Sequence, residues 1–346
     1  MPPRHGDKAG PASNNAVVSK RRLSRQQAQR IAGSQRRRAA LAGGTGEAPA
    51  SGAPGGELRG RVLAQYGREV DLRDAAGDAR RCQLRANLPT PVAGDEVVFR
   101  AQGDGGVVLA VEPRRSALRR PDRFGRLRVV AANVDLVVIV LAPLPQPHAS
   151  LVDRYLVACE DLGAEALLLL NKCDLEAALA AARALLRPYP ALGYPILQGC
   201  ARRAVPPGLE ARLRGRTAIL VGQSGVGKTT LLNALLPQAR QRVGELSGER
   251  GKGRHTTTTA RLFELPGGGA LIDSPGIREF GLWHLDRGAI DRGFREIRDA
   301  AQDCRFRDCR HAGEPDCAVA TALAAGTIDP ARWDSYRRIL AEAGVA

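Results

Sequence analysis

The chain has 346 residues, a length that allows two or three domains with buried cores. Its 52 lysines and arginines outnumber 36 aspartates and glutamates, and the formal net charge of +16 favours a polyanionic partner, nucleic acid before membrane. No apolar run has the length of a membrane span or the position of a signal-peptide core, so the composition predicts a soluble cytoplasmic protein with no membrane partner.

The first segment, residues 1–56, is basic and lacks apolar periodicity. It holds 10 lysines and arginines against Asp7 and Glu47, and residues 43–56 have the composition of a flexible linker. Residues 20–41 are predicted to form either a basic helix on RNA or a solvated tail. Because the net charge already favours a nucleic-acid partner, we favour contact of this tail with RNA phosphates.

Residues 57–113 contain short strand patterns separated by turn residues. Five strands in so short a segment predict a small barrel of the oligonucleotide-binding (OB) type. Tyr66 and Phe99 are its only aromatic residues, so a surface that stacks bases is poorly supported. Phosphate contacts are therefore favoured, with a spacer barrel that binds nothing as the alternative. The arginines concerned are Arg80, Arg81, Arg85 and Arg100. The predicted strands are 58–66, 69–73, 81–85, 95–100 and 107–112.

From residue 114 onward, strand and helix patterns alternate, which is typical of a parallel α/β sheet. We predict buried strands at 134–142 and 166–170, with a helix at 151–162 between them. The α/β domain is expected to span residues 114–282.

The second of these strands ends in Asn171-Lys-Cys-Asp174, an N-K-x-D motif. The carboxylate of Asp174 can accept hydrogen bonds from the ring N–H and the exocyclic amine of guanine, a pair of donors that adenine lacks. Asn171 would brace the base and the adjoining loop, and the stem of Lys172 would cover the base face. Cys173 completes the motif in place of the more common aliphatic residue. The motif predicts GTP rather than ATP as the ligand.

A second motif, G-x-x-x-x-G-K-T, follows a predicted strand at 217–221 and precedes a helical pattern at 231–236. Its glycines allow backbone N–H groups to converge on phosphate, since no Cβ is in the way. Lys228 would reach the outer phosphates, and the hydroxyl of Thr229 would bind Mg²⁺. A glycine-rich turn that binds nothing is the alternative. The predicted GTP-binding residues of this loop are Gly222, Gln223, Ser224, Gly225, Val226, Gly227, Lys228, Thr229 and Thr230.

Two further segments complete a nucleotide site. A threonine run at 251–259 suits a mobile loop that carries the second hydroxyl for Mg²⁺. Asp273-Ser-Pro-Gly276 reads D-x-x-G, in which Asp273 would hold the water shell of the metal and the Gly276 N–H the γ-phosphate. Ile277 stands where many GTPases have the glutamine that orients water, so slow turnover is expected. His255 is the candidate for that role, with RNA contact as its alternative.

The order of these motifs is unusual, because N-K-x-D precedes the phosphate loop by about fifty residues. All elements of the sheet are nevertheless present, which indicates a circularly permuted GTPase domain. D-x-x-G then leads directly into the C-terminal segment, so loss of the γ-phosphate could act on that segment.

The C-terminal segment, residues 283–346, contains Cys304, Cys309, His311 and Cys317 within 14 residues. Three thiols and an imidazole suit one closed, tetrahedral Zn²⁺ site, which is structural because no position is left for water. Redox thiols or chance clustering are the alternatives. Helical patterns at 317–325 and 330–343 follow, so this domain is expected to be helical. Without a heptad pattern, a monomer is expected.

Together these motifs resemble the ribosome small subunit-dependent GTPase A family (RsgA, YjeQ or EngC), from about residue 20 onward. The resemblance implies an OB-type barrel, a circularly permuted P-loop GTPase domain and a C-terminal zinc-binding domain. It implies late maturation of the small (30S) ribosomal subunit through its 16S rRNA, with GTP hydrolysis that the subunit accelerates. It also favours Thr257 as the second Mg²⁺ ligand, with Thr256 and Thr258 left open. Besides the motifs above, it is carried by residues 119–122, 131–135, 153–156 and 254–258.

Two other functions are alternatives to a GTPase of the small subunit. One is a GTPase that acts on another RNA assembly, such as the large subunit. The other is a zinc-stabilised RNA-binding module whose nucleotide site is only structural.

Overall fold

Five β-strands at the start of the described chain close into a barrel. The computed structural model describes residues 56–122, 124–236, 260–273 and 285–345. In the barrel the strands pair in the order β1-β2-β3-β5-β4, and β1 also pairs with β4, which closes the ring. Alternate side chains point inward and form a core that includes Leu72 and Phe99. The strands are β1 (Glu57–Tyr66), β2 (Glu69–Asp74), β3 (Ala79–Leu84), β4 (Glu96–Gln102) and β5 (Gly105–Val111).

An antiparallel hairpin that the sequence patterns did not predict follows the barrel. It consists of β6 (Ala117–Pro121) and β7 (Leu127–Ala132). Asp122 fixes its turn, because its Oδ1 accepts hydrogen bonds from the backbone N–H of Phe124 at 2.9 Å and of Arg126 at 3.0 Å. At its other end the hairpin is bonded to the barrel, where the Ala132 N–H donates to Ala93 O at 3.0 Å.

The central sheet of the next domain has the spatial order β10-β9-β8-β11-β13-β12. All pairs are parallel except β12 with β13. Every residue of β8 is buried, as expected for a central strand covered by helices on both faces. The strands are β8 (Leu136–Leu141), β9 (Glu165–Leu170), β10 (Ile196–Gln198), β11 (Thr217–Val221), β12 (Arg261–Glu264) and β13 (Ala270–Asp273). The helices are α1 (Ala149–Leu162), α2 (Glu176–Leu186), α3 (Leu209–Leu213) and α4 (Lys228–Leu235).

The strand order confirms the permutation. The strands that come first in the chain, β8, β9 and β10, lie on one side of β11, and β13 and β12 lie on the other. The direction in which successive strands are added to the sheet therefore reverses between β8 and β11, which are themselves parallel. In open α/β sheets, ligands bind in the crevice at the carboxyl ends of the strands at such a point. This crevice receives the loops that follow β8, β9 and β11.

The barrel and the sheet form one continuous hydrogen-bonded surface. β1 of the barrel pairs antiparallel with β12, and Ala64 lies opposite Arg261. An ion pair between Arg73 and Glu264, with an N–O distance of 2.7 Å, lies beside this junction. The barrel is thus attached to β12, the edge strand of the central sheet, rather than joined by a linker alone.

Four helices make up the described part of the C-terminal region. Asp286 and Asp329 cap the first and the last of them, since their carboxylates accept from the backbone N–H of Ala289 and of Ala331. The predicted three-part fold is confirmed. Among the described residues, no helix is long and apolar enough to cross a membrane. The helices are α5 (Arg287–Gly293), α6 (Arg295–Ala301), α7 (Ala318–Ala324) and α8 (Pro330–Glu342).

Candidate functional site

The phosphate-type loop connects β11 to α4 and folds around its own lysine. Gly222, Gly225 and Gly227 all have positive φ angles, of 135°, 83° and 98°. A Cβ on Gly222 would lie 2.2 Å from the carbonyl oxygen of Val140, so only glycine fits there. The ammonium of Lys228 donates to the carbonyl oxygens of Gly222 and Gln223, each at 2.6 Å. The loop therefore offers a lysine at the N-terminus of a helix, an arrangement that binds anions.

The side chain of Asn171 joins the two predicted motifs. Its Nδ2 donates to the carbonyl oxygen of Val226 in the phosphate loop at 2.9 Å. Its Oδ1 accepts from the backbone N–H of Ala201 at 2.9 Å. A Cβ on Gly227 would lie 2.4 Å from the same Nδ2, so a side chain there would force the two loops apart. The N-K-x-D motif and the phosphate loop thus lie in one crevice.

A cavity of about 250 Å³ opens between these loops. Oδ1 of Asp174 accepts a hydrogen bond from the thiol of Cys200 at 3.2 Å, and this bond is the main reason why the pKa of Asp174 lies below its ordinary value. The positive charges of Arg203 and Arg202 act in the same direction. The carboxylate is therefore ionised at neutral pH. The cavity is lined by Asn171, Lys172, Asp174, Leu175, Cys200, Arg202, Gly227 and Thr230.

The sequence patterns did not predict that Cys200 and Arg202 line this cavity. They follow β10, a strand of three residues whose side chains are not fully buried, so the sequence has no strong apolar run to mark it. Without that strand, nothing in the sequence brings residues 199–202 to the crevice.

The loop after β8, residues 142–148, lies against the phosphate loop. A Cβ on Gly225 would be 3.8 Å from Cδ of Pro145. Lys172, which has a positive φ of 57°, donates from its Nζ to the carbonyl oxygen of Leu144 at 3.2 Å. The loop after β8 therefore holds the side chain of Lys172, which the loop after the neighbouring strand β9 carries.

The remaining predicted nucleotide residues are distributed as follows. Thr229 and Thr230 are exposed in the first turn of α4, and Ser224 is exposed in the loop. Asp273 ends β13, which pairs with β11. The predictions for His255, Thr256, Thr257, Thr258, Gly276 and Ile277 lie outside the described residues.

The four residues of the predicted metal site come together. Their ligand atoms all lie within 4.8 Å of one another. Nδ1 of His311 is 3.7 Å from the sulfur of Cys304 and 3.5 Å from that of Cys317. A tetrahedral ion with metal–sulfur bonds of about 2.3 Å and a metal–nitrogen bond of about 2.0 Å requires sulfur–nitrogen edges of about 3.5 Å. The donor set, completed by Cys309, therefore fits a four-coordinate metal ion.

Glu314 shapes the loop that carries this cluster. Its carboxylate accepts from the backbone N–H of Arg310 at 2.8 Å and of Ala312 at 2.7 Å, on either side of His311. These bonds lower the pKa of Glu314 to about 2. His311 itself has a positive φ of 59°. Glu314 thus contributes to the geometry of the loop on both sides of His311.

The β6–β7 hairpin carries an exposed basic and aromatic surface. Phe124 at its turn is 66% exposed, and the guanidinium of Arg126 lies 5.8 Å from the centre of its ring. Arg119, Arg120 and Arg128 are exposed on the two strands. Residues 114–132 contain seven arginines and one aspartate. We define this hairpin with its arginines as the basic hairpin.

The positive charge is unevenly distributed along the chain. Residues 57–113, which include the barrel, have eight arginines against nine acidic residues, and residues 283–346 have ten arginines against eleven. The excess therefore belongs to the N-terminal segment and to residues 114–282.

Comparisons with known proteins agree with this geometry. The family described as RsgA GTPase matches residues 111–283. A small ribosomal subunit biogenesis GTPase RsgA from Azotobacter vinelandii is 53% identical over 336 residues, covering 94% of this chain and 98% of that protein. One from Pseudomonas aeruginosa is 52% identical over 332 residues, with the same coverage.

Two solved structures are also similar. YjeQ from Thermotoga maritima has a TM-score of 0.68 at 30% identity, and the match covers 83% of this chain and 98% of the YjeQ chain. YloQ, described as a circularly permuted GTPase, has a TM-score of 0.68 at 25% identity, with 84% and 96% covered. Both matches extend well beyond residues 111–283.

Replacing the bridging amide should weaken both the fold and nucleotide binding. In Asn171→Ala, the Val226 carbonyl and the Ala201 N–H lose their partners in a buried position, which costs about 2–4 kcal/mol for the two groups. We expect a lower thermal midpoint of the nucleotide-free protein and at least tenfold weaker GTP binding. Differential scanning fluorimetry and fluorescent-nucleotide titration measure the two effects. The control is Gln302→Ala, which removes an exposed amide; equal midpoints for the two variants would contradict the bridge.

Proposed function

The chain belongs to the RsgA GTPase family and hydrolyses GTP, and from this premise we propose that it binds the small (30S) ribosomal subunit and acts late in its maturation. The bound nucleotide sets its affinity for the subunit, and hydrolysis releases it. The observation that most supports the nucleotide-dependent part of this proposal is the hydrogen bond from Asn171 to Val226. It joins the loop that carries Asp174 to the phosphate loop, so that both lie in one crevice. The names of the two similar bacterial proteins supply the ribosomal partner.

The base side of the site is assigned to the 250 Å³ cavity. Asp174 accepts from the two donors on the guanine edge, and the thiol of Cys200 holds one of its oxygens in place. Lys172, fixed by the Leu144 carbonyl, covers one face of the base with its stem. Asn171 braces the loop that carries both.

The phosphate side is assigned to the loop at 222–230. Lys228 exchanges its two loop carbonyls for the outer phosphates. The hydroxyls of Thr229 and Thr257 and the carboxylate of Asp273 are hard oxygen donors, which suit Mg²⁺. When bound, Mg²⁺ neutralises charge that develops on the phosphates. The Gly276 N–H is assigned to the γ-phosphate.

Slow turnover of the isolated protein follows from Ile277, because an aliphatic side chain cannot orient the attacking water. We assign that role to His255. In this proposal its correct position depends on the ribosomal subunit, so the subunit accelerates hydrolysis.

The 16S rRNA contact is assigned first to the basic hairpin and the N-terminal segment. Three of the four barrel arginines expected to bind phosphate already pair with carboxylates: Arg80 with Asp74, Arg81 with Asp71 and Arg100 with Glu57. The hairpin also contains an ion pair, between Arg128 and Asp122, but its arginines outnumber its carboxylates and surround an exposed Phe124, which can stack on an unpaired base. The barrel and helical domain then contribute shape more than charge.

We assign one structural Zn²⁺ to Cys304, Cys309, His311 and Cys317. Thiolate and imidazole donors are typical of zinc sites, and four protein ligands leave no open position for catalysis. All seven cysteines are free of disulfides, which supports a reducing compartment, and we propose a cytoplasmic monomer.

Small subunits should stimulate steady-state GTP hydrolysis. If docking uses about six phosphate contacts, affinity falls roughly a thousandfold between 50 and 200 mM salt, so stimulation at limiting subunit should fall steeply. The measurement is phosphate release with and without purified small subunits at both salts. Large subunits are the control. Equal rates with and without small subunits would contradict the proposal, and stimulation by large subunits alone would favour the other assembly.

The basic hairpin should dominate the electrostatic part of subunit binding. Arg126→Gln should reduce the slope of log affinity against log salt by about one, and Phe124→Ala should weaken binding at every salt. Arg81→Gln is the matched control, because Arg81 already pairs with Asp71 through two nitrogens, at 2.8 and 3.1 Å. Co-sedimentation with small subunits measures both. If Arg81→Gln changed the slope as much as Arg126→Gln, the barrel would share the contact equally.

The metal cluster should hold one zinc per chain. Elemental analysis of Cys309→Ser should show loss of that equivalent and a lower thermal midpoint, since metal binding and folding are coupled in such sites. Cys173→Ser, which removes a thiol outside the cluster, should keep the metal. Full zinc in Cys309→Ser would show that the ligand assignment is wrong.

A further inference from the structure

A buried charge network connects the helical domain to α1 of the GTPase domain. Asp153 in α1 is 0% exposed, and its Oδ1 accepts from Nη1 of Arg332 in α8 at 2.5 Å. The same guanidinium donates from Nε and Nη2 to the two carboxylate oxygens of Glu296 in α6, at 2.6 and 3.0 Å. The hydroxyl of Tyr189 donates to Asp153 at 2.6 Å. Three of the five N–H groups of the guanidinium thus donate to carboxylates, one from each nitrogen.

Aromatic rings enclose the guanidinium. Its carbon lies 4.4 Å from the ring centre of Phe294 and 5.6 Å from that of Tyr189. Arg332 itself is 2% exposed. The network therefore fixes the relative position of four segments: α1, the chain after α2, α6 and α8.

Stability alone does not explain this arrangement. Burying a charge pair removes its hydration, and apolar side chains of similar size would often stabilise a fold equally well. A hydrogen-bonded guanidinium also fixes orientation, because its planar arrangement of N–H groups accepts carboxylate partners in only a few geometries. We therefore attribute to the network a single fixed orientation of the helical domain on α1. Close packing of Gly293 on Val157 supports this, since a Cβ there would lie 2.6 Å from Cγ2 of Val157.

The N-terminal end of α1, close to Asp153, connects to the nucleotide site. The loop at 142–148 leads directly into α1, and His148 is the N-cap residue of the helix. Pro145 of this loop faces Gly225 of the phosphate loop, where a Cβ would be 3.8 Å from its Cδ, and the Leu144 carbonyl holds Lys172. Asp153 is five residues from His148. One rigid helix therefore connects α8 with both sides of the pocket.

We propose that Asp153 and Arg332 are positioning residues that make the helical domain and the loop at 142–148 move as one body. Nucleotide in the pocket then restrains α8, and a ligand on the helical domain restrains Lys172 and the phosphate loop, since coupling between two sites is reciprocal. The proposal rests on the proposed function only for the identity of that ligand, the small subunit.

The test variant is Asp153→Asn/Glu296→Gln/Arg332→Met, which removes all three charges together and leaves no buried ion unpaired. The change Asp153→Asn keeps an acceptor for the Tyr189 hydroxyl. Arg332→Lys is the second variant, which keeps the charge and removes the fork. Circular dichroism and the thermal midpoint first establish that each variant is folded. Arg295→Gln is the matched control, because it breaks a half-exposed pair with Glu160 at the same interface.

The measurement is amide hydrogen exchange by mass spectrometry, with and without GDP or a non-hydrolysable GTP analogue. In the wild type and in Arg295→Gln, nucleotide should slow exchange at least threefold both at 222–236 and in α8 (Pro330–Glu342). In the triple variant the slowing at 222–236 should remain and the slowing in α8 should be lost. Arg332→Lys should lose most of it.

The outcomes separate the proposals. Slowing of α8 that persists in the folded triple variant, or that is absent from the wild type while 222–236 responds, would overturn the inference. Loss of slowing in Arg295→Gln to the same extent would overturn the assignment to Asp153 and Arg332. No response at 222–236 in the wild type would contradict nucleotide binding and both proposals. If small subunits do not change the rate of GTP hydrolysis by the wild type, only the proposed partner is contradicted.

Discussion

The side-chain amide of Asn171 bridges the two loops on which the nucleotide site depends. One loop follows β9 and carries Asp174, and the other follows β11 and carries Lys228. The amide, which belongs to the first loop, donates to the Val226 carbonyl in the second loop and accepts from the Ala201 N–H in the loop after β10; both bonds are 2.9 Å long and buried. Because leaving a buried polar group unpaired costs more than a hydrogen bond contributes, each loop stabilises the conformation of the other. In the proposed site, the pocket for the base and the pocket for the phosphates become one through this side chain.

Each flanking domain is connected to one of the loops expected to sense the γ-phosphate, the barrel by hydrogen bonds between strands and the helical domain by the chain itself. β12 is the first described strand after the threonine run at 251–259, and β1 of the barrel pairs with it. α5 begins shortly after D-x-x-G and opens the helical domain. In an unpermuted chain the threonine run and D-x-x-G would lie in the middle of the sequence, between strands of the same sheet. Here the order of the segments assigns the barrel to one loop and the helical domain to the other.

Much of the fold could be predicted from the sequence, because fully buried strands and glycine-rich turns leave local patterns. The strand at 217–221 was predicted with the bounds observed, and β8 and β9 were displaced by at most two residues at either end. The cluster of Cys304, Cys309, His311 and Cys317 was also predicted, since its spacing is local, and the four residues come together in the structure. The β6–β7 hairpin was missed because arginines occupy much of its surface and give no apolar alternation. Cys200 was missed because it meets Asp174 only through folding, 26 residues away.

The same distinction explains why the Asp153–Arg332 pair was invisible in the sequence. Its members are 179 residues apart, and each is a charged residue in an amphipathic helix, where a solvent-exposed position is the ordinary expectation. Only the packing of α8 on α1 removes both from water. Once buried, the pair constrains the molecule more than an apolar contact would, because it must keep its geometry or leave a charge unpaired. The residues around 153 therefore belong to the coupling between domains, although they touch neither the nucleotide cavity nor the metal cluster.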